Sequence, residues 1–213
     1  MLQLFTDTSA NLPVALTKQH HITVVPFSYT VDGKETDYPD DVDFDGAAFY
    51  GAMCRGAVVK TSMVNPDLMA NYFERALSQG DDVLYVGMSG GISGTAQAAV
   101  IAAGELTEKY PARKIVTIDT YAASLGEGLQ VLEAARMIEE GKSLDEIKAH
   151  LLSRRPHMCQ FFTVDDLAYL KRGGRISSAT ALIGTVLSIK PILCGDETGH
   201  IVSCGKVRGM KRA

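Results

Sequence analysis

"DVLYVGMSGGISGTAQAAV", Asp82–Val100, runs from an apolar strand-like segment through a loop rich in glycine, serine and threonine into an alanine-rich helical pattern. Strand, loop and helix in that order form the building block of an α/β fold. A loop that opens a helix also presents backbone N–H groups and the positive end of the helix dipole, which favour an anion. The stretch therefore predicts a parallel α/β architecture with an anion-receptive loop. It leaves open whether the anion is a phosphate, the oxyanion of a hydrolytic reaction or a carboxylate.

The same alternation extends outward on both sides. "LQLFTD" reads as a strand, followed by a helix opening near Pro13. "ITVVPFSYTVDGKE" reads as one or two strands with a turn at Asp32-Gly33. "DFDGAAFYGAMCR" is helical, with Phe49, Met53 and Tyr50 on its apolar side. "PDLMANYFERALSQG" places Pro66 in the first turn of a helix and Gly80 at its end. After the opening stretch, a helix is expected from Ser93 to Lys109, then the strand "KIVTID" and a helix from Ser124 to Glu140. Ser143 and Glu146 form a capping box for the next helix, "SLDEIKAHLLSRR". Repeated units of this kind predict a mostly parallel sheet with helices on both faces across residues 1–155.

After Pro156 the pattern becomes α+β. "HMCQFFTV" reads as a strand, "DDLAYLKRG" and "SSATALIGTVLSI" as helices, and "KPILCGDETGHIVSCGKV" as a hairpin turning at Glu197–Gly199. A soft boundary near Pro156 thus separates an α/β domain, 1–155, from a second α+β domain, 156–213. The chain stops directly after a strand, so the second domain is expected to be C-terminally incomplete.

Composition narrows the function. The 213 residues are 46% hydrophobic and 22% charged, as in ordinary globular proteins. A net charge of −4 argues against nucleic acid or an anionic membrane surface as the main partner. No apolar run approaches the ~18–20 residues of a membrane span, so no integral membrane contact is expected. Cys54, Cys159, Cys194 and Cys204 lack CxxC spacing, which argues against structural zinc and for buried thiols in a cytoplasmic protein. "DDVDFDG", Asp40–Gly46, has the acidic spacing of a calcium loop, but Ala52 falls where a bidentate glutamate is needed. Its acids are expected to cap the following helix, and no metal is expected.

The opening loop fits other anion-binding chemistries unequally. A P-loop requires a lysine, and none follows Gly94. The dinucleotide fingerprint fails because the glycines are not spaced GxGxxG. Gly87–Gly91 does match the G-x-S-x-G nucleophile elbow, with Ser89 as nucleophile and Asp119 and His157 or His200 following in triad order. A serine hydrolase or esterase acting through Ser89 is therefore the alternative reading, weakened by the second Ser-Gly that delays the helix. An interaction module with a vestigial anion site is a third. A further hydroxyl pair, Thr61 and Ser62 in "KTSMVNP", reads equally as the carboxyl end of a strand of the parallel sheet, beside the Ser93 loop, or as a turn whose hydroxyls cap the helix entering at Pro66. "LKRGGRIS" places Arg175 after a two-glycine turn, where its charge suits an acidic group, a phosphate or a partner surface.

Taken in order, "TDTSANLP", "KTSMVNP", "SGGISGTAQAA", "IDTYAASLGEGLQVLEAA", "FTVDDLAYLKRGGRIS" and "IKPILCGDETGHIVSCGKVRG" resemble the DegV family, whose better-known members are the fatty-acid-binding subunits of the bacterial fatty acid kinase. The resemblance implies a two-domain α/β protein with a long-chain fatty acid in an apolar tunnel between the domains. It implies that the acyl carboxylate meets Thr61 and Ser93, with Ser62, Gly94 and Thr95 as neighbours, and that Arg175 lies near the head group or the kinase-docking face. It further implies a non-catalytic chain with no cofactor, which presents its ligand to the kinase catalytic subunit for acyl-phosphate formation. Ala96 stands where a tyrosine is common in the family, and the family's chains continue past the KVRG motif.

Overall fold

The computed structural model describes residues 1–37, 44–176 and 189–212. Its strands are β1 (Leu2–Asp7), β2 (Ile22–Val25), β3 (Ser28–Val31), β4 (Lys34–Asp37), β5 (Val59–Thr61), β6 (Asp82–Gly87), β7 (Ile115–Asp119), β8 (Phe161–Phe162), β9 (Ile189–Gly195) and β10 (Ile201–Arg208). Its helices are α1 (Val14–Gln19), α2 (Gly46–Cys54), α3 (Pro66–Ser78), α4 (Thr95–Lys109), α5 (Leu125–Glu139), α6 (Leu144–Arg154) and α7 (Leu167–Arg172). They build three sheets: a parallel one of order β2-β1-β6-β7, and antiparallel ones of order β4-β3-β5 and β10-β9-β8.

The parallel sheet follows from strands that are apolar on both faces. Side chains alternate sides along a strand, so Leu4, Leu84, Val86 and Ile118 point one way and Phe5, Val83 and Tyr85 the other. The first set packs on Val131 and Ala134 of α5 and on Ile147 and Leu151 of α6. The second packs on Met69, Phe73, Ala76 and Leu77 of α3 and on Ala99, Ala102 and Leu106 of α4. The α3 residues recur at the spacing that makes one helical face. Phe73 is fully buried, with its ring 5.3 Å from Phe5 and 5.9 Å from Tyr85.

Strand order creates the structural opening for a site. From β1 the chain moves outward to β2, then returns to the other side of β1 as β6. The chain thus leaves the paired strands β1 and β6 in opposite directions, toward β2 and β7, and the crevice at such a topological switch point receives ligands in open α/β sheets.

Several expectations require correction. β5, which carries Thr61, pairs with β3 in an antiparallel sheet instead of joining the parallel one. Three residues are too few for a core strand, and Lys60 and Thr61 are exposed, so the segment suits an edge. The "ITVVPFSYTVDGKE" stretch forms three strands, with β3 and β4 joined at Asp32-Gly33. Helix α4 begins at Thr95, two residues later than Ser93. "HMCQFFTV" contributes only the two-residue β8, because Arg155–His157 forms a 3-10 turn before it. Tyr50 is largely exposed, although its ring meets Phe49 edge-on at 5.2 Å. Cys54, Cys159 and Cys204 are exposed and Cys194 is half-buried, because all four fall outside the two cores of the parallel sheet.

Elsewhere the local reading holds. Ser143 and Glu146 form the capping box, and Asp45 caps α2 by accepting from the Ala48 N–H at 2.9 Å. The other acids of the calcium-like loop up to Asp43, and the helix expected over "SSATALIGTVLSI" beyond Ile176, lie outside the described residues. Among the described residues, no helix is long and apolar enough to cross a membrane.

Phe73→Ala removes the aromatic side chain shared by α3, β1 and β6, and is expected to lower stability by about 3–5 kcal/mol. Urea titration monitored by circular dichroism measures it; a loss below about 1 kcal/mol contradicts this packing.

Candidate functional site

The loop Met88–Gly94 sits at the switch point, where the end of β1 holds its first residue. Asp7 accepts from the Ser9 N–H at 2.9 Å, from the Ser9 hydroxyl at 2.5 Å, from the Tyr85 hydroxyl at 2.6 Å and from the Met88 N–H at 3.3 Å. Ser9 Oγ is also 2.5 Å from Glu127 Oε2, and the Thr6 hydroxyl donates to Glu127 Oε1 at 3.3 Å. Asp7, Ser9 and Glu127 are all buried. Burial, then the neighbouring Asp7 charge, pushes the Glu127 carboxyl well above the usual carboxylate range. The same two causes raise the Tyr85 phenol.

Beyond Met88, Ser89 organises the loop. Its N–H donates to the Ala122 carbonyl at 2.8 Å, and its own carbonyl accepts from Ile92 and Ser93 at 3.0 Å. The Ser89 hydroxyl donates to the Gly199 carbonyl at 2.9 Å and accepts from the Gly91 N–H at 3.1 Å. Those bonds correct the nucleophile reading. Ser89 is fully buried, and its proton is directed at a backbone carbonyl of the β9–β10 turn. No hydrogen bond among the described residues joins Ser89 to Asp119, His157 or His200. Asp119 accepts from the N–H groups of Gly90 and Tyr121, His200 pairs with the Thr198 hydroxyl, and both histidines are exposed.

The loop glycines permit close approach, and none of them has positive φ. A Cβ on Gly91 would lie 2.7 Å from the backbone of Gly199 and His200, and one on Gly94 would lie 2.5 Å from Met63 Sδ. Gly91 therefore receives the hairpin of the third sheet, and Gly94 receives the segment that follows β5.

This packing decides which donors remain. The N–H groups of Met88, Gly90, Gly91, Ile92 and Ser93 are bonded within the protein, as is that of Thr95, which donates to Ser93 Oγ at 3.3 Å. Among the described residues, the N–H groups of Gly94, Ala96 and Gln97 have no such partner. They surround the first turn of α4, where the dipole is positive.

The hydroxyls add a directed donor. Thr95 Oγ1 accepts from the Val64 N–H at 3.3 Å and lies 3.0 Å from Ser93 Oγ. Thr95 is buried, so its proton needs an acceptor within the protein, and Ser93 Oγ is in reach. Ser93 Oγ then accepts from both the Thr95 hydroxyl and the Thr95 N–H. With both lone pairs engaged, the half-buried Ser93 hydroxyl can act outward only as a donor.

The structure thus brings together Ser93, Gly94 and Thr95 with the segment carrying Thr61 and Ser62. The link is the Val64–Thr95 bond and the contact of Met63 with Gly94. Ser62 N–H donates to the Ser28 carbonyl at 2.9 Å. Thr61 is exposed, and its hydroxyl has no partner among the described residues. Arg175 joins the loop through a 3.2 Å bond from Nε to the Ile92 carbonyl, and its Nη1 donates to the Gly173 carbonyl. The link from Asp7 at the end of β1 through Ser9 to Glu127 was not anticipated from sequence. Among the described residues, no group of three His, Cys, Asp or Glu is arranged to hold a metal ion.

Fold and loop together define an α/β protein with a helix start at the switch point of a parallel sheet, faced by hydroxyls and unpaired N–H groups. A family model described as "uncharacterised protein, DegV family" matches residues 1–213. A DegV domain-containing protein of Clostridium perfringens is 41% identical over 212 residues, covering 99% of this chain and 72% of that protein. The chain belongs to the DegV family. Among solved structures, a fatty-acid-binding DegV family protein from Thermus thermophilus superposes with a TM-score of 0.85 at 35% identity, covering 100% of this chain and 73% of the other. A stearic-acid-binding protein from Eubacterium ventriosum gives 0.84 at 30% identity, over 100% and 72%.

Gly91→Ala must displace the β9–β10 turn, since the conflict is with backbone. It is expected to lower stability by about 1–3 kcal/mol in urea titration; an unchanged midpoint contradicts the docking of the hairpin on this loop.

Proposed function

We propose that this protein binds a long-chain fatty acid and presents its carboxylate at the start of α4 to the catalytic subunit of a fatty acid kinase, which forms the acyl phosphate. Thr61, Ser62, Ser93, Gly94 and Thr95 receive the carboxylate, and Arg175 lies at the head group or the kinase-facing surface. The chain itself supplies no catalytic group and acts in the cytoplasm. The acyl chain runs between an α/β domain, 1–155, and a second α+β domain, 156–213.

The observation that carries this reading is the contact of Ser93 with the buried Thr95, whose Oγ1 accepts from Val64 N–H. It leaves a donor and three N–H groups at the positive end of a helix, a set suited to a carboxylate. Fatty acids bound by the Thermus and Eubacterium relatives agree with this ligand class. Each buried methylene contributes about 0.8 kcal/mol, so the acyl chain supplies most of the affinity. The donors offset the cost of taking the carboxylate out of water.

Mild purification, organic extraction and mass spectrometry are expected to recover a long-chain fatty acid. Ser93→Ala is expected to weaken binding of an added fatty acid about ten- to a hundredfold, the loss of one hydrogen bond to a charged group. Addition of a fatty acid kinase catalytic subunit and ATP is expected to yield a hydroxylamine-reactive acyl phosphate. No extracted lipid together with no affinity for added fatty acid would sink the proposal.

A further inference from the structure

Beneath the loop, Ser9 Oγ lies 2.5 Å from a carboxylate oxygen of Asp7 and 2.5 Å from one of Glu127. Contacts that short are O–H···O hydrogen bonds, and each requires a proton between the oxygens. The serine hydroxyl has only one. One of the two acids must therefore hold the other, and the hydrogen bonds say which. Asp7 accepts three further bonds, from Ser9 N–H, the Tyr85 hydroxyl and Met88 N–H, so its oxygens are filled by donors and leave no acceptor for a proton of its own. Glu127 accepts one further bond, from Thr6 at 3.3 Å, and is fully buried. The proton belongs to Glu127.

We propose that Glu127 is a neutral acid donating through the Ser9 hydroxyl to Asp7, and that Asp7, held as the pair's single charge, is the positioning residue that fixes the Met88–Ser93 loop. The inference deepens the fatty-acid reading and rests on it for its link to ligand binding. Asp7 secures Met88; the adjacent Ser89 then sets Gly91, Ile92 and Ser93. The same Ser9 also ties in the segment after β7, since its carbonyl accepts from the Ser124 N–H at 2.8 Å. Keeping the pair at one charge limits the negative field beneath a site that receives an anion. The titratable groups facing Glu127 are Asp7 from β1, Tyr85 from β6 and Asp119 from the end of β7.

The sign of the pH dependence follows. A carboxyl raised above its ordinary value stays neutral below the raised value and ionises as pH rises through it. Ionised Glu127 takes its proton out of the relay and adds a second buried charge, so the loop and its affinity for an anion weaken as pH rises.

Three measurements on the full chain test this. Infrared spectra at pH 7 are expected to show a protonated side-chain carboxyl band that disappears in Glu127→Gln; no such band in the wild type would overturn the shared proton. Hydrogen exchange of the Met88–Ser93 amides is expected to accelerate at least tenfold in Asp7→Asn. Unchanged exchange would overturn the positioning role, and if Asp7→Asn does not fold, Ser9→Ala breaks the same relay with the same expectation. Oleate affinity is expected to fall as pH rises above 7 in the wild type but not in Glu127→Gln; parallel profiles would overturn the coupling. If the wild type binds no oleate at pH 7, the fatty-acid reading fails, while the infrared and exchange results still decide the proton and the positioning.

Discussion

A buried carboxylate at the end of β1 governs the arrangement of everything above the sheet. Removing Asp7 from water is costly unless its oxygens are satisfied, and four donors converge on them. Two come from the turn that follows β1, one from a tyrosine of the neighbouring strand and one from the backbone of the loop leaving that strand. The requirement to satisfy one charge thus aligns two strand ends with the loop between sheet and helix. The two-sided apolar sheet supplies the rigid platform beneath, with α3 and α4 on one face and α5 and α6 on the other.

Much of that platform was legible in the sequence. The alternation of strand and helix patterns, the runs "LQLFTD" and "DVLYVGM", and the Ser143–Glu146 capping box all specify local structure through short-range physics. The placement of β5 was not legible, because "VKT" is compatible with either sheet and only its partner β3 decides. Ser89 was ambiguous for a related reason. A five-residue motif records spacing, whereas the direction of the hydroxyl depends on Gly199, 110 residues away. Glu127 offered no signal at all. Within "LGEGLQVLEAA" it reads as an ordinary helical glutamate, and its burial arises because glycines flank it where α5 meets the first turn. A Cβ on Gly128 would lie 2.8 Å from the Ala10 carbonyl.

The candidate site was legible as a set of residue types more than as a geometry. Sequence pointed to hydroxyls and N–H groups at a helix start; the structure divides them by role. Most N–H groups of the loop serve its own shape, and the donors left over belong to Gly94 and the first turn of α4. Thr95 aims Ser93 in place of facing outward itself, a consequence of its burial and of the Val64 N–H that occupies it. Glycine in this loop likewise provides thinness, letting two other sheets press their segments against it.

The bond between Ser89 and Gly199 also bears on the order in which the chain matures. It closes a separation of 110 residues, and long closures carry an entropic cost that local contacts do not. During synthesis the parallel sheet, complete by Asp119, leaves the ribosome well before the hairpin that caps its loop. Until that hairpin arrives, Ser89 and Gly91 lack their neighbour across the loop. The loop's final shape therefore forms after the core that supports it, and the candidate site matures with the loop.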